Sequence, residues 1–190
     1  MSKYILSENQ NKMVSKAIRY AKKLVGTPYK LFLFNGKNWP TEDGPPFWID
    51  NSKPPSINYI KKKGANCAGF VNLIRRYMGL KLPGERNFFG CCIGGTYEWF
   101  DYLKKKKRLE KIIPNKVYPK GTLLIQNYNP KDQGHIAFTI NSSKKGLINT
   151  KIIHNIHKHK KEVTIEEFKD YSLNKRFTHI CLPQNWLLKN

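Results

Sequence analysis

The sequence is poor in acidic residues and in long apolar runs. Only 13 of its 190 residues are Asp or Glu, against 35 Lys and Arg, so the formal net charge is +22. A positive field of that size attracts polyanions such as nucleic acid, an anionic glycopolymer or an acidic membrane surface. No apolar stretch approaches the roughly 20 residues that a membrane span needs, and the first residues lack the apolar core of a signal peptide. We therefore expect a soluble, unexported protein, cytoplasmic or packaged in a virion.

Cysteine is also scarce, and its spacing excludes the common zinc modules. The four cysteines are Cys67, Cys91, Cys92 and Cys181. The adjacent pair cannot form an unstrained disulfide, which fits a reducing compartment in which the last three are small core residues. His154, His157 and His159 have no acidic or thiol partner nearby in the sequence, so we predict no metal site and no cofactor.

One cysteine lies where an extended segment is predicted to turn into an amphipathic helix. Asn66 is a good N-cap, and apolar residues recur at helical spacing from Phe70 up to Gly79, which can end the helix. Cys67 therefore lies in the first turn, where unpaired N–H groups and the helix dipole favour thiolate over thiol. Cys67 is a candidate nucleophile; the alternative is a small core residue.

Two histidines downstream could assist that thiol. His135 begins a predicted strand, and His154 lies within a later one. If both strands pack on the helix of Cys67, His135 can accept the thiol proton and His154 can hold its ring, as in a catalytic triad. The alternatives are a surface histidine at a strand end and a rim residue of a basic stretch.

Several segments, in the same order, resemble the motifs of the NlpC/P60 family of papain-like cysteine peptidases. They are the helix and turn that end in Gly26-Thr27-Pro28-Tyr29, the motif Asn66-Cys67-Ala68-Gly69-Phe70, and residues 79–83, 119–123, 135–140 and 153–155. The resemblance implies a papain-like α+β fold. It makes Cys67 the nucleophile, His135 the base and His154 the third residue of the triad.

The substrate-binding positions depart from the family pattern. The resemblance implies that Tyr29 lies near the thiol, and that Asn66 and Ala68 replace the Asp and Ser that help family members to hold a cell-wall stem peptide. A Pro- and Trp-rich insert over about residues 35–62 precedes the nucleophile. We interpret the chain as one that retains the catalytic residues and has changed its substrate recognition, so a cell-wall peptide cannot simply be assumed as substrate.

The chain is expected to form a single α+β domain over residues 1–190, with N-terminal helices packed on an antiparallel sheet. Helices are predicted over residues 7–25, 67–78 and 97–107, and strands over residues 122–128, 135–141, 147–156 and 177–182. Residues 28–64 are predicted to be irregular. Thr164 is predicted to open a short helix through a capping box with Glu167.

Three functions fit these observations. The favoured one is a cysteine hydrolase that cleaves an amide bond in a peptide through an acyl-enzyme. An alternative is a catalytically silent structural or virion-associated module that binds a polyanion through its lysine runs. A third is a thiol acyltransferase or lipid-directed hydrolase on the same scaffold. The abundant Lys, Asn and Ile are also typical of AT-rich genomes, those of large DNA viruses and some microbes among them.

Overall fold

A computed structural model describes residues 4–30, 47–49, 52–83, 95–126, 134–157, 160–172 and 176–188. The helices in these ranges are α1 (Glu8–Lys23), α2 (Ile57–Lys63), α3 (Cys67–Tyr77), α4 (Thr96–Lys105), α5 (Phe168–Ser172) and α6 (Pro183–Trp186). The strands are β1 (Glu110–Lys111), β2 (Leu123–Gln126), β3 (His135–Thr139), β4 (Lys151–Ile156), β5 (Glu162–Glu167) and β6 (His179–Cys181). The predicted α+β class is confirmed.

The strands form one open antiparallel sheet in the order β1-β6-β2-β3-β4-β5. Alternate residues of a strand face opposite sides of a sheet, and both sides are covered here. One side packs on α1, α3 and α4 through residues such as Phe138, whose ring stacks on Phe70 of α3. The other side carries a second apolar cluster that includes Ala137, Ile152 and Phe177.

Helix α1 begins as the sequence predicts. Ser7 is its N-cap, and the Gln10 N–H donates to Ser7 Oγ over 3.2 Å while the Ser7 N–H donates to Gln10 Oε1 over 3.0 Å. This reciprocal capping box satisfies donors that would otherwise have no partner at the start of a helix. The buried stripe of α1 contacts α3, so α1 supports the helix that carries the candidate nucleophile.

Two predicted elements are wrong. Thr164 does not open a helix: it lies in β5, directly opposite His154 of β4, and α5 starts only at Phe168. Pairing with β4 overrides the capping signal, because Val163 alternates with its polar neighbours and enters the helix-side core. Residues 28–64 are not irregular throughout either, since α2 lies within them and is capped by Ser56.

Part of the Pro- and Trp-rich insert is hydrogen-bonded to α3 and packs on it. The Arg76 guanidinium donates to the Phe47, Ser52 and Lys53 carbonyls and to Ser52 Oγ, over 2.6 to 2.9 Å. The buried Trp48 ring lies against the first turn of α3, where a Cβ at Gly69 would come within 2.6 Å of it. The insert therefore packs on the helix of Cys67.

Several predictions concern residues outside the described ranges. These are residues 35–46 and 50–51 of the insert, together with Cys91, Cys92 and His159. Cys181 is buried, as predicted. None of the helices in the described ranges combines the length and the apolar character that a membrane span requires.

Candidate active site

Cys67 is the first residue of α3, as the sequence predicts. The Gly69 N–H donates to the Asn66 side-chain oxygen over 2.6 Å, which caps the helix. The Cys67 side chain lies between α3, the start of α4 and β3, and the residue is only 8% exposed. Its sulfur is therefore held at a helix N-terminus and is largely shielded from water.

Three groups contact the thiol and define its electrostatics. They are the Thr96 side chain and the backbones of Ile136 and Ala68. These contacts favour the thiolate, but burial opposes it more strongly and raises the pKa of Cys67 above its usual value. The expectation of a thiolate in the resting protein is therefore wrong: desolvation outweighs the helix N-terminus.

The two candidate histidines are hydrogen-bonded to each other. Nε2 of His135 lies 2.9 Å from Nδ1 of His154, and both rings are buried, with exposures of 4% and 0%. The contact joins β3 to β4, which are neighbours in the sheet. The structure thus brings together the two residues that the sequence paired as base and orienting group.

A carboxylate that sequence reasoning assigned to a helix completes this series. Nε2 of His154 lies 3.1 Å from Oε2 of Glu166, and Lys160 lies 3.9 Å from the other carboxylate oxygen. Glu166 is on β5, on the same face as Thr164 and therefore as His154. The alternation of apolar and polar residues from Val163 to Glu166 is the signal that could have revealed a strand here.

An ionised Glu166 fixes the tautomers of both rings. A carboxylate only accepts hydrogen bonds, so Nε2 of His154 carries a proton, and in a neutral His154 ring Nδ1 then accepts. The His135 ring then donates its Nε2–H to His154, and its Nδ1 holds the lone pair. The series from Glu166 to His135 therefore presents a basic nitrogen at the far end, as proton abstraction from a thiol requires.

The environment of His135 keeps its ring neutral. Burial, with the nearby charges of His154 and Arg176 as smaller causes, lowers the pKa of His135 well below its usual value. The Phe177 ring lies 5.5 Å from it, centroid to centroid. Arg176 also lowers the pKa of Cys67, so its charge acts on both groups. The resting pair is a neutral thiol and a neutral imidazole.

The thiol and the imidazoles approach β3 from different sides. Ile136 faces α3, and strand alternation turns His135 to the side of Ala137 and the second cluster. The thiol contacts the backbone of Ile136, which follows the candidate base His135 in the chain. Among the described residues no hydrogen bond joins Cys67 Sγ to the His135 ring. Proton transfer therefore needs the sulfur and the ring to approach each other at the start of β3.

The three residues expected to bind substrate have different environments. Asn66 uses its side-chain oxygen as the cap of α3, and Ala68 is 4% exposed. Tyr29 pairs through its backbone with Ala65, and its ring meets the His157 ring edge-on at 5.1 Å. Asn66 and Ala68 therefore shape the first turn of α3, and neither offers a charge to a substrate.

The segment before Cys67 is hydrogen-bonded to the strand of His154. The Asn155 side chain donates from Nδ2 to the Ala65 carbonyl over 2.7 Å, and Asn155 is fully buried. Ala65 precedes Cys67 by two residues, so this bond fixes the start of α3 relative to β4. Sequence reasoning missed Asn155, Thr96, Glu166 and Arg176, because their importance depends on which elements become neighbours.

The chain was compared with known proteins. It matches no protein-family model, and no curated protein sequence is significantly similar to it.

Proposed function

We propose that this protein is a cysteine hydrolase of papain-like, NlpC/P60-type fold that cleaves an amide bond. In this proposal Cys67 is the nucleophile, His135 the base and His154 the residue that orients it. The observation that carries the proposal is the buried hydrogen-bonded series from Glu166 through His154 to His135, next to a cysteine in the first turn of a helix. Buried ionisable groups are costly to maintain and cluster at functional sites.

The reaction starts from the neutral pair. Cys67 Sγ attacks the substrate carbonyl carbon while Nδ1 of His135 takes the thiol proton, and the carbonyl electrons move to oxygen. The Cys67 backbone N–H, at the start of α3, can stabilise that oxyanion. Collapse of the intermediate breaks the C–N bond, and His135 returns the proton to the leaving amine. Water, deprotonated by His135, then hydrolyses the thioester and regenerates the thiol.

The first turn of α3 bears on substrate choice. Asn66 carries no charge and is engaged as a cap, while Ala68 is buried and has no hydroxyl. A site that binds the ammonium of a free stem peptide needs a carboxylate there. Without it, the unpaired ammonium would cost about 1–3 kcal/mol of binding free energy. We therefore propose a peptide or amide substrate without a free ammonium next to the scissile bond.

The experiment is cleavage profiling by mass spectrometry. The protein is incubated with a diverse peptide library and with purified muropeptides that carry an N-terminal L-Ala-γ-D-Glu unit. The proposal predicts cleavage of library peptides that is lost in Cys67→Ala and kept in Cys181→Ala, whose thiol is also buried, with the muropeptides left intact. Cleavage that survives Cys67→Ala would refute the nucleophile, and Cys67-dependent cleavage of muropeptides would refute the substrate class.

Two observations favour a second candidate, a catalytically silent basic module. The Cys67 thiol and the His135 ring are both largely closed to water, and the chain carries a net charge of +22. Such a protein would bind a polyanion through its surface and cleave nothing. The profiling separates the two candidates, and adding an amine acceptor to the same reactions tests for acyl transfer in place of hydrolysis.

A further inference from the structure

A basic cleft lies at the opposite end of α4 from the thiol. Helix α4 starts at Thr96, which contacts Cys67, and the cleft begins at its last turn. It has a volume of about 320 Å³. Its lining consists of Phe100, Lys104, Lys107, Leu109, Lys111 and His179. This volume is within the range of small-molecule sites and exceeds what an inorganic ion alone would fill.

The fold makes these residues converge. Phe100 and Lys104 are four residues apart and share one face of α4. After the helix the chain turns at Lys107, which has a positive φ of 53°, and the turn brings Leu109 back to the same cleft. Lys111 of β1 lies directly opposite His179 of β6, so both side chains share one face of the sheet.

The positive charges in the cleft are not neutralised within the described part of the chain. Glu110, the carboxylate next in sequence to Lys111, is on the other face of β1, where the Tyr4 hydroxyl donates to it over 2.8 Å. Asp101 of α4 pairs with Lys105 over 2.7 Å. No carboxylate of the described residues lies within ion-pair distance of the three cleft lysines, whose mutual repulsion an anion would relieve.

The remaining lining is apolar or aromatic. The Phe100 ring meets the His179 ring edge-on, with 5.1 Å between centroids, and Leu109 lies beside them. A ligand that fits must therefore combine a multiply charged anionic group with an apolar part. Lysine ammonium groups bind phosphate as point charges, and a phosphate dianion matches several of them better than a carboxylate does.

We propose that this cleft binds a phosphate monoester that carries an apolar or aromatic group. The phosphate contacts Lys104, Lys107 and Lys111, and the organic part packs on Phe100 and Leu109. The site is independent of the proposed hydrolase activity, because none of these residues belongs to the thiol site.

The test measures binding of phenyl phosphate, inorganic phosphate and phenol by calorimetry at about 0.15 M salt, where exposed charges are largely screened. The combined variant Lys104→Gln, Lys107→Gln and Lys111→Gln is compared with Lys22→Gln, Lys144→Gln and Lys145→Gln, which removes the same charge elsewhere. Phe100→Leu tests whether the Phe100 ring contributes to binding of the phenyl group. An NMR titration follows the imidazole of His179. Burial and the neighbouring Lys111 and Lys104 lower the pKa of this ring.

The proposal expects phenyl phosphate to bind about tenfold more tightly than inorganic phosphate, equivalent to about 1.4 kcal/mol. The cleft variant should lose about tenfold in affinity for phenyl phosphate, and the control variant should lose less than threefold. Phe100→Leu should reduce the preference for the phenyl group. Bound phenyl phosphate should raise the pKa of His179. Equal losses in the two lysine variants, or no preference for phenyl phosphate, would overturn it. So would a single-stranded oligonucleotide that binds at the cleft lysines without being displaced by phenyl phosphate, because the lysines would then serve an extended polyanion.

Discussion

At the scale of single residues, Glu166 determines which ring donates in the hydrogen bond between His135 and His154. Without a carboxylate beyond His154, either ring could donate in the 2.9 Å contact with His135. With it, the basic nitrogen of the series is Nδ1 of His135, and a positive charge that develops on the two rings during proton transfer is stabilised. In the proposed mechanism Glu166 is thus a positioning residue, which acts through His154.

Glu166→Gln should slow acylation of Cys67 by p-nitrophenyl acetate by about tenfold, because a neutral amide stabilises the developing imidazolium less. It should also move the acidic limb of the pH–rate profile to lower pH, since removal of the negative charge lowers the apparent pKa of the coupled histidines. Stopped-flow release of nitrophenolate across the pH range measures both effects.

The matched control is Glu167→Gln. Glu167 is the neighbour of Glu166 on β5 and pairs with Lys151 over 3.7 Å at the surface. It should leave rate and pH profile unchanged. If Glu166→Gln and Glu167→Gln behave alike, Glu166 has no part in directing the histidine pair.

The lowered pKa of His135 predicts an acid-sensitive fold. Its pKa is lower in the folded than in the unfolded chain, so its contribution to stability is full above about pH 6.5 and is lost as pH falls toward the folded pKa. In that window the free energy of unfolding should fall by up to about 1.4 kcal/mol per pH unit from this residue.

Urea unfolding between about pH 5 and 7.5, below and above the ordinary pKa of histidine, measures this slope. His135→Gln should reduce the dependence of the free energy of unfolding on pH by the equivalent of about one bound proton. His179→Gln is the control, because the pKa of His179 is also lowered but the residue is partly exposed and should change the slope less. An unchanged slope in His135→Gln would show that its ring is not desolvated as described.

At the scale of elements, α3 carries the candidate nucleophile at one end and contacts the insert along its length. Arg76 donates hydrogen bonds to Phe47, Ser52 and Lys53 of the insert. Gly69 gives Trp48 a flat surface, and a Cβ there would force the ring away. The first turn of α3 and the insert are therefore mechanically coupled.

Arg76→Ala should release the insert. Three carbonyls and a hydroxyl would lose a buried charged donor, so we expect a loss of about 3 kcal/mol in the free energy of unfolding. Limited trypsin digestion followed by mass spectrometry should show faster cleavage after Lys53. Arg19→Ala, on the exposed face of α1, is the control, and equal cleavage rates in the two variants would contradict the fastening role of Arg76.

Local signals in the sequence account for much of the fold. The N-cap at Asn66 and the apolar spacing along both helices predict α1 and α3, because those helices are specified within a few residues. Thr164 misled the prediction, since a capping box and a polar–apolar alternation share its sequence and only pairing with β4 decides between them. The role of Glu166 and the burial of Cys67 depend on long-range packing, which local patterns do not encode.

At the scale of the whole molecule, charge and site are separate features. The net charge of +22 is spread along the chain, while the thiol is enclosed between α3, α4 and β3 and the imidazoles are buried on the other side of the sheet. Repulsion among so many like charges opposes the compact state, and dissolved ions screen it.

Raising sodium chloride from about 0.02 to about 0.3 M, which shortens the Debye length severalfold, should therefore raise the melting temperature. Differential scanning fluorimetry measures it, with sucrose at matched osmolality as a control for non-ionic effects. A melting temperature that falls as salt rises would show that specific ion pairs contribute more than self-repulsion.

The central claim, that Cys67 is a nucleophile served by His135, is tested most directly by trapping the acyl-enzyme. The protein is mixed with p-nitrophenyl acetate, and the site of acetylation is mapped by peptide mass spectrometry at successive times. The account predicts an acetyl group on Cys67 ahead of Cys181, absent in Cys67→Ala and formed about 10²-fold or more slowly in His135→Ala, as expected when a general base is removed. Acetylation confined to lysines, or an unchanged rate at Cys67 in His135→Ala, would contradict it.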